Sequence, residues 1–129
     1  MLVSGYARAM RPLTHLALAV RDEDASRRFY EQYFGFEVAY RAEDGTLLMR
    51  NADGFSLALG RWDVDAKLPS FLHFGFRAQS RDDVREWAER FRSDGVEIVE
   101  QWDEPDYVSI KVREPSGYVV ELGWDEAFR

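Results

Sequence analysis

LTHLALAV (13–20) and SFLHFGFRA (70–78) carry the only two histidines of this 129-residue chain. Each run is short and apolar and reads as a buried strand. A helix comes after each. DEDASRRFYEQYFGF reads as a helix that Asp22 or Asp24 can cap, with Ala25, Phe29 and Tyr33 on one face and Gly35 as a left-handed stop. SRDDVREWAERFRSDG reads as a second helix, with Ser80 and Asp83 as a capping box. Val84, Trp87, Ala88 and Phe91 form its apolar stripe, and Gly95 is its stop. Three strands trail each helix: FEVAYR (36–41), TLLMRN (46–51) and FSLALG (55–60), then VEIVEQW (96–102), DYVSIKVR (106–113) and YVVELGW (118–124). EDG, ADG and EPSG supply the turns. His15 and His73, Gly35 and Gly95, and Gly54 and Gly117 recur at nearly constant offset. The chain is therefore α+β and duplicated, two βαβββ modules and not a solenoid.

The expected division is an N-terminal arm at 1–12, a first module at 13–60, a polar linker at 61–69, a second module at 70–124 and a tail at 125–129. The opening MLVSGYARAMRP is interrupted by Gly5, Arg8 and Arg11, unlike the unbroken apolar segment of a signal peptide. No run approaches the ~18 apolar residues of a membrane span. The absence of cysteine excludes disulfides, thiolate zinc sites and cysteine nucleophiles, and a cytoplasmic protein is expected. A net charge of −7 argues against nucleic-acid binding, which depends on cationic side chains neutralising phosphates.

Side chains two apart in a strand share a face. His15 lies with Leu13, Ala17 and Ala19, opposite Leu16, Leu18 and Val20. His73 lies with Phe71, Gly75 and Arg77, opposite Leu72, Phe74 and Phe76. Glu121 lies with Val119 and Gly123, opposite Tyr118, Val120, Leu122 and Trp124. In each case a bulky row can pack on a helix, while the other row carries a metal-ligand residue type with a small residue two positions on. A carboxylate inside YVVELGW is costly to bury without a partner. Two imidazoles and one carboxylate form a facial triad that leaves coordination positions open, so His15, His73 and Glu121 are the candidate metal ligands. Tyr107, Ser109, Lys111 and Arg113 share one face of their strand. With Arg77 they read either as a cationic wall for an anionic substrate or as a solvated rim. The four tryptophans are too scattered to name a binding box, and Trp87 reads as core.

These residues resemble the vicinal oxygen chelate superfamily of glyoxalase I, extradiol dioxygenases, fosfomycin-resistance transferases and bleomycin-resistance proteins. LTHLALAVRDEDASRRFYEQYFGFEV, FLHFGF and EPSGYVVEL carry the likeness across about residues 12–124. The resemblance implies a cup-shaped mixed sheet with helices on its convex face, completed in a homodimer. There His15 of one chain would meet His73 and Glu121 of the other, around one divalent ion (iron, manganese, zinc or nickel).

Departures from the subtypes narrow the chemistry. The fourth ligand of glyoxalase I falls near Leu57 or Leu59, neither of which binds metal. Extradiol dioxygenases typically add a histidine for proton transfer that this chain lacks, although Tyr107 or Tyr118 could act. The fosfomycin enzymes' threonine after the first histidine is Ala17 here, and their tyrosine in the penultimate strand is Lys111, so resistance to that drug is not expected. A metal-dependent enzyme acting on a small oxygen-bearing molecule is the leading expectation. The alternative is a metal-free protein of the bleomycin-resistance type that sequesters a drug or metabolite.

Overall fold

The computed structural model describes residues 11–62 and 68–128. Most of the expected arm and the centre of the linker lie outside these residues. The first module is β1 (His15–Val20), α1 (Glu23–Phe34), β2 (Glu37–Arg41), β3 (Leu47–Arg50) and β4 (Ser56–Arg61). The second is β5 (His73–Arg77), α2 (Arg81–Ser93), β6 (Ile98–Glu104), β7 (Tyr107–Arg113) and β8 (Val119–Asp125), with a 3-10 turn after it at Glu126–Phe128. Strand order is β1-β4-β3-β2 in one sheet and β5-β8-β7-β6 in the other. The first strand of each module lies parallel to its last, and the remaining pairs are antiparallel. The duplication read from the sequence is thus a duplication of topology. Among the described residues no ladder joins the two sheets, and β1 and β5 are both edge strands.

The helix ends obey their local chemistry. Asp22 caps α1, its Oδ1 accepting from the Ala25 amide at 3.0 Å, and Gly35 closes the helix at φ 69°, where a side chain would be strained. Ser80 caps α2 through the Asp83 amide at 3.0 Å. The Asp83 carboxylate returns to the Gln79 amide, one residue ahead of a standard capping box. Val84, Ala88 and Phe91 are buried as the spacing predicts, and Trp87 packs partly buried against them. On α1 the buried residues are Ser26, Phe29 and Tyr30, so the inward face is turned from the predicted Ala25–Phe29–Tyr33 stripe. The reason is a polar joint with the second module that Ser26 must reach.

That joint and an aromatic contact hold the two modules together. Phe34 lies 4.7 Å from Phe76 and Tyr33 lies 4.9 Å from Phe91 (ring centroids), so one apolar cluster runs through both modules. Beside it, Glu114 is 2% exposed. Its Oε2 accepts from Ser26 Oγ at 3.0 Å, and its Oε1 accepts from the amides of Ser116 and Tyr118 at 2.5 and 3.2 Å. Tyr118 reaches back to the first module: its hydroxyl donates to Ala19 O and accepts from Ala19 N, each at 3.0 Å. The proton-transfer role open to Tyr118 in the sequence therefore meets a hydroxyl committed to backbone. Among the described residues, no helix is long and apolar enough to cross a membrane.

Burial raises the Glu114 carboxyl above its ordinary range, against the hydrogen bonds that lower it. The folded state therefore holds this proton more tightly than the unfolded chain, and this group's contribution to stability falls as pH rises through the folded value. Chemical denaturation of Glu114→Gln and the wild type between mildly acidic and neutral pH is expected to show the difference moving in the variant's favour as pH rises. Ser26→Ala, which strips a buried carboxylate of its hydroxyl donor, is expected to cost about 1–3 kcal/mol.

Candidate metal centre

Parity along the strands sends Leu18, Val20, Val108, Ile110, Val112, Val120 and Leu122 into the core. It leaves the other faces of the sheets to polar side chains. Pairing of Gly75 with Glu121 and of His73 with Val119 sets His73 and Glu121 diagonally across β5 and β8. Their side chains converge, with His73 Nε2 3.3 Å from Glu121 Oε1. Glu121 is only 15% exposed and His73 26%.

Each group is oriented by a second bond. His73 Nδ1 lies 2.9 Å from the carbonyl oxygen of Phe71. A carbonyl oxygen only accepts, so Nδ1 carries a proton, and a neutral ring would then present the Nε2 lone pair to the carboxylate. Two acceptors facing each other repel unless a proton or a metal cation lies between them. Glu121 Oε2, for its part, accepts from the hydroxyls of Tyr107 and Ser109. One carboxylate oxygen is thereby fixed and the other left toward His73, which is how outer hydrogen bonds orient metal ligands. Burial, with the Glu121 contact second, raises the Tyr107 hydroxyl above its usual range, so it stays a donor.

Gly75 and Gly123 make room for this carboxylate. A methyl group at Gly75 would come 3.1 Å from Glu121 Cβ, and one at Gly123 would come 3.3 Å from Glu121 Oε2. The small residues two positions beyond His73 and Glu121 thus leave the volume that Glu121 itself occupies.

His15 is exposed on β1, its Nδ1 3.0 Å from Thr14 Oγ1. It does not join the other two within the chain: among the described residues, no three His, Asp or Glu side chains converge on a common point. On β4, Leu57 and Leu59 are fully buried on the helix side, away from His15. The outward residues there are Ser56, Ala58 and Gly60, with Ala58 beside Ala17. No carboxylate stands at the position where glyoxalase I has its fourth ligand.

The expected cationic wall is largely neutralised. Lys111 Nζ lies 2.8 Å from Glu100 Oε1, and Arg113 Nε lies 2.9 Å from Glu97 Oε2. The Glu100 contact raises the Lys111 ammonium, and Lys111 lowers Glu100 in turn. Arg77, in contrast, is exposed on β5, and its side chain makes no hydrogen bond or ion pair among the described residues. A cavity of about 840 Å³ lies between the modules, lined by Leu16, Phe55, Phe74, Phe76 and Arg77 among others. Leu16, Phe74 and Phe76 belong to the strand faces opposite His15 and His73, while Gly75 and Arg77, on the His73 face, also line this cavity.

The comparisons with known proteins agree with this geometry at the level of fold. The family model described as the Glyoxalase/Bleomycin resistance protein/Dioxygenase superfamily matches residues 13–122. A Pseudomonas aeruginosa protein described as uncharacterized is 32% identical over 124 residues, 88% of this chain and 89% of that one. The fosfomycin resistance protein FosX of Listeria monocytogenes is 33% identical over 91 residues, 67% of each chain. A crystal structure of a FosX mutant with Mn(II) and 1S,2S-dihydroxypropylphosphonic acid superposes with a TM-score of 0.74 at 22% identity, covering 88% of this chain and 90% of that one. A possible glyoxalase from Bacillus cereus gives a TM-score of 0.76 at 28% identity, covering 88% and 98%.

The glycine geometry is testable by itself. Gly75→Ala is expected to destabilise by about 1–3 kcal/mol, because Glu121 can yield only by straining the β5–β8 ladder or its hydroxyl bonds. Gly60→Ala, where an added Cβ meets nothing within 4 Å, is the control and is expected to be neutral or mildly stabilising.

Proposed function

Because the chain belongs to the Glyoxalase/Bleomycin resistance protein/Dioxygenase superfamily, we propose that it is a metal-dependent enzyme acting on a small oxygen-bearing molecule. His73 Nε2 and Glu121 Oε1 hold a divalent ion, and His15 of a second copy supplies the third ligand. The observation that carries this reading is the approach of His73 Nε2 to Glu121 Oε1 at 3.3 Å, with His73 Nδ1 held by the Phe71 carbonyl. A cation held by both would take up the lone pairs that the two groups turn toward each other. Such an ion supplies Lewis acidity, or dioxygen binding if it is iron, at coordination positions that three protein ligands leave open. Tyr107 and Ser109 hold the far oxygen of Glu121 with their hydroxyl protons and keep the near one aimed.

The case for a homodimer rests on the edges. Both β1 and β5 are edge strands, and Leu13, Phe71 and Leu72 beside them are 73%, 85% and 53% exposed. An unpaired strand edge flanked by apolar side chains is a template for another chain. Pairing β1 of one copy with β5 of the other brings His15 to the face that carries His73 and Glu121. FosX, a relative in sequence, has been crystallised with Mn(II), which supports a divalent ion here. Ala17 and Lys111 keep fosfomycin itself outside the proposal.

Untagged protein, stripped and reloaded with iron, manganese, zinc or nickel, is expected to retain about one ion per chain with at least one of them. His15→Ala, His73→Ala and Glu121→Ala should each abolish retention. Tyr107→Phe and Ser109→Ala should weaken affinity about 10–100-fold without abolishing it. Failure of all four metals to bind would overturn the proposal. It would leave His73 and Glu121 as a contact pair in a metal-free binding protein.

A further inference from the structure

The polar face of the second sheet is ordered in rows. Trp102, Ser109, Gly123 and Arg77 are register partners across β6, β7, β8 and β5. The neighbouring row is Glu100, Lys111, Glu121 and Gly75. In the first row Ser109 is fully buried with its hydroxyl on Glu121 Oε2, and Gly123 leaves room for the same carboxylate, so Glu121 forms the floor between Trp102 and Arg77 at the two ends. One end is an indole 47% exposed, although its N–H is committed to Glu100 Oε1 at 2.5 Å. The same oxygen accepts from Lys111, so the ring is tethered at its polar edge by a carboxylate already fixed by a cation. The other end is Arg77, the cation of this face that is not engaged by a carboxylate among the described residues.

An exposed, tethered aromatic surface and a guanidinium without a partner among the described residues, at the two ends of one register row beside the candidate metal centre, form a two-ended ligand site. We infer that the substrate carries a planar or bulky apolar group at one end and a carboxylate or phosphonate at the other, with its chelating oxygens between them. This rests on the metal-centre reading for the position of those oxygens. Orientation comes from charge: Glu100 and Lys111 neutralise one another at the indole end, whereas the Arg77 fork matches a two-oxygen anion. Four strands at roughly 4.8 Å spacing set the two Cα atoms about 14 Å apart, which suits a molecule of one ring and a short acidic arm. The scattered tryptophans in the sequence give no sign of this, because the juxtaposition arises only from the β6–β7–β8–β5 register.

The test is calorimetric titration of the Mn(II)-loaded protein with four probes. 2,3-Dihydroxy-3-phenylpropanoate has the ring, vicinal hydroxyls and a carboxylate beyond them. 2,3-Dihydroxybutanoate lacks the ring, 1-phenyl-1,2-propanediol lacks the anion, and 1,2-dihydroxy-2-phenylethylphosphonate exchanges carboxylate for phosphonate. The phenyl acid or its phosphonate counterpart is expected to bind at least tenfold more tightly than the butanoate or the diol, and the better of the two identifies the anion. Trp102→Ala should remove the advantage over the butanoate while leaving the butanoate unchanged. Arg77→Ala should remove the advantage over the diol while leaving the diol unchanged. Neither variant should alter Mn(II) affinity. Equal binding of the phenyl acid, the butanoate and the diol would overturn the inference, as would loss of all probes alike in either variant. Should the protein take up no Mn(II), the same titrations on metal-free protein still decide it, since the ring and anion effects belong to Trp102 and Arg77.

Discussion

A carboxylate in the middle of a sheet, largely withdrawn from water, is the constraint around which the second module is arranged. Glu121 belongs by strand periodicity to the polar face, and burial of its charge is unfavourable unless every lone pair is used. Two hydroxyls from β7 take one oxygen, and two glycines clear the volume that the side chain occupies. The other oxygen meets the His73 imidazole, whose Nδ1 is turned to the Phe71 carbonyl. Each neighbour is explicable as a response to that one group, and the proposed cation would complete the arrangement.

The position of the first histidine has a different origin. Within the chain the modules associate through aromatic residues of α1, α2 and β5 and through the Ser26–Glu114–Tyr118 joint. This contact leaves β1 and β5 as edges of their sheets. His15 is held to its own sheet by the β1–β4 ladder and does not join His73 and Glu121 within the described chain. In the proposed assembly the third ligand comes from another copy, where the two open edges would pair.

Much of this is legible in the sequence, for identifiable reasons. The element order is readable because the caps and stops are local: Asp22, Ser80, Gly35 and Gly95 act through their immediate neighbours. His73 and Glu121 are readable as a pair because strand parity and a parallel first-to-last pairing bring them together. Strand ends are less so, since β5 begins at His73 instead of Ser70 and β6 continues to Glu104. The rotation of α1 is hidden because it depends on Glu114, nearly ninety positions away. The same holds for Tyr107 and Ser109: parity puts them on the right face, but only the register shows that they serve Glu121. Lys111 and Arg113 carry the charges expected of a cationic wall, but their cross-strand partners Glu100 and Glu97 neutralise it.

Metal recovery on mixing two inactive variants tests the shared site most directly. His15→Ala and His73→Ala proteins, each unable to retain metal, would be mixed, allowed to exchange subunits and assayed for bound Mn(II). A site shared between copies leaves one intact and one doubly altered centre in every mixed dimer. Random exchange should then restore about a quarter of an ion per chain. No recovery in a mixture proven to contain mixed dimers would contradict a shared centre, because a site built within one chain stays broken in both partners.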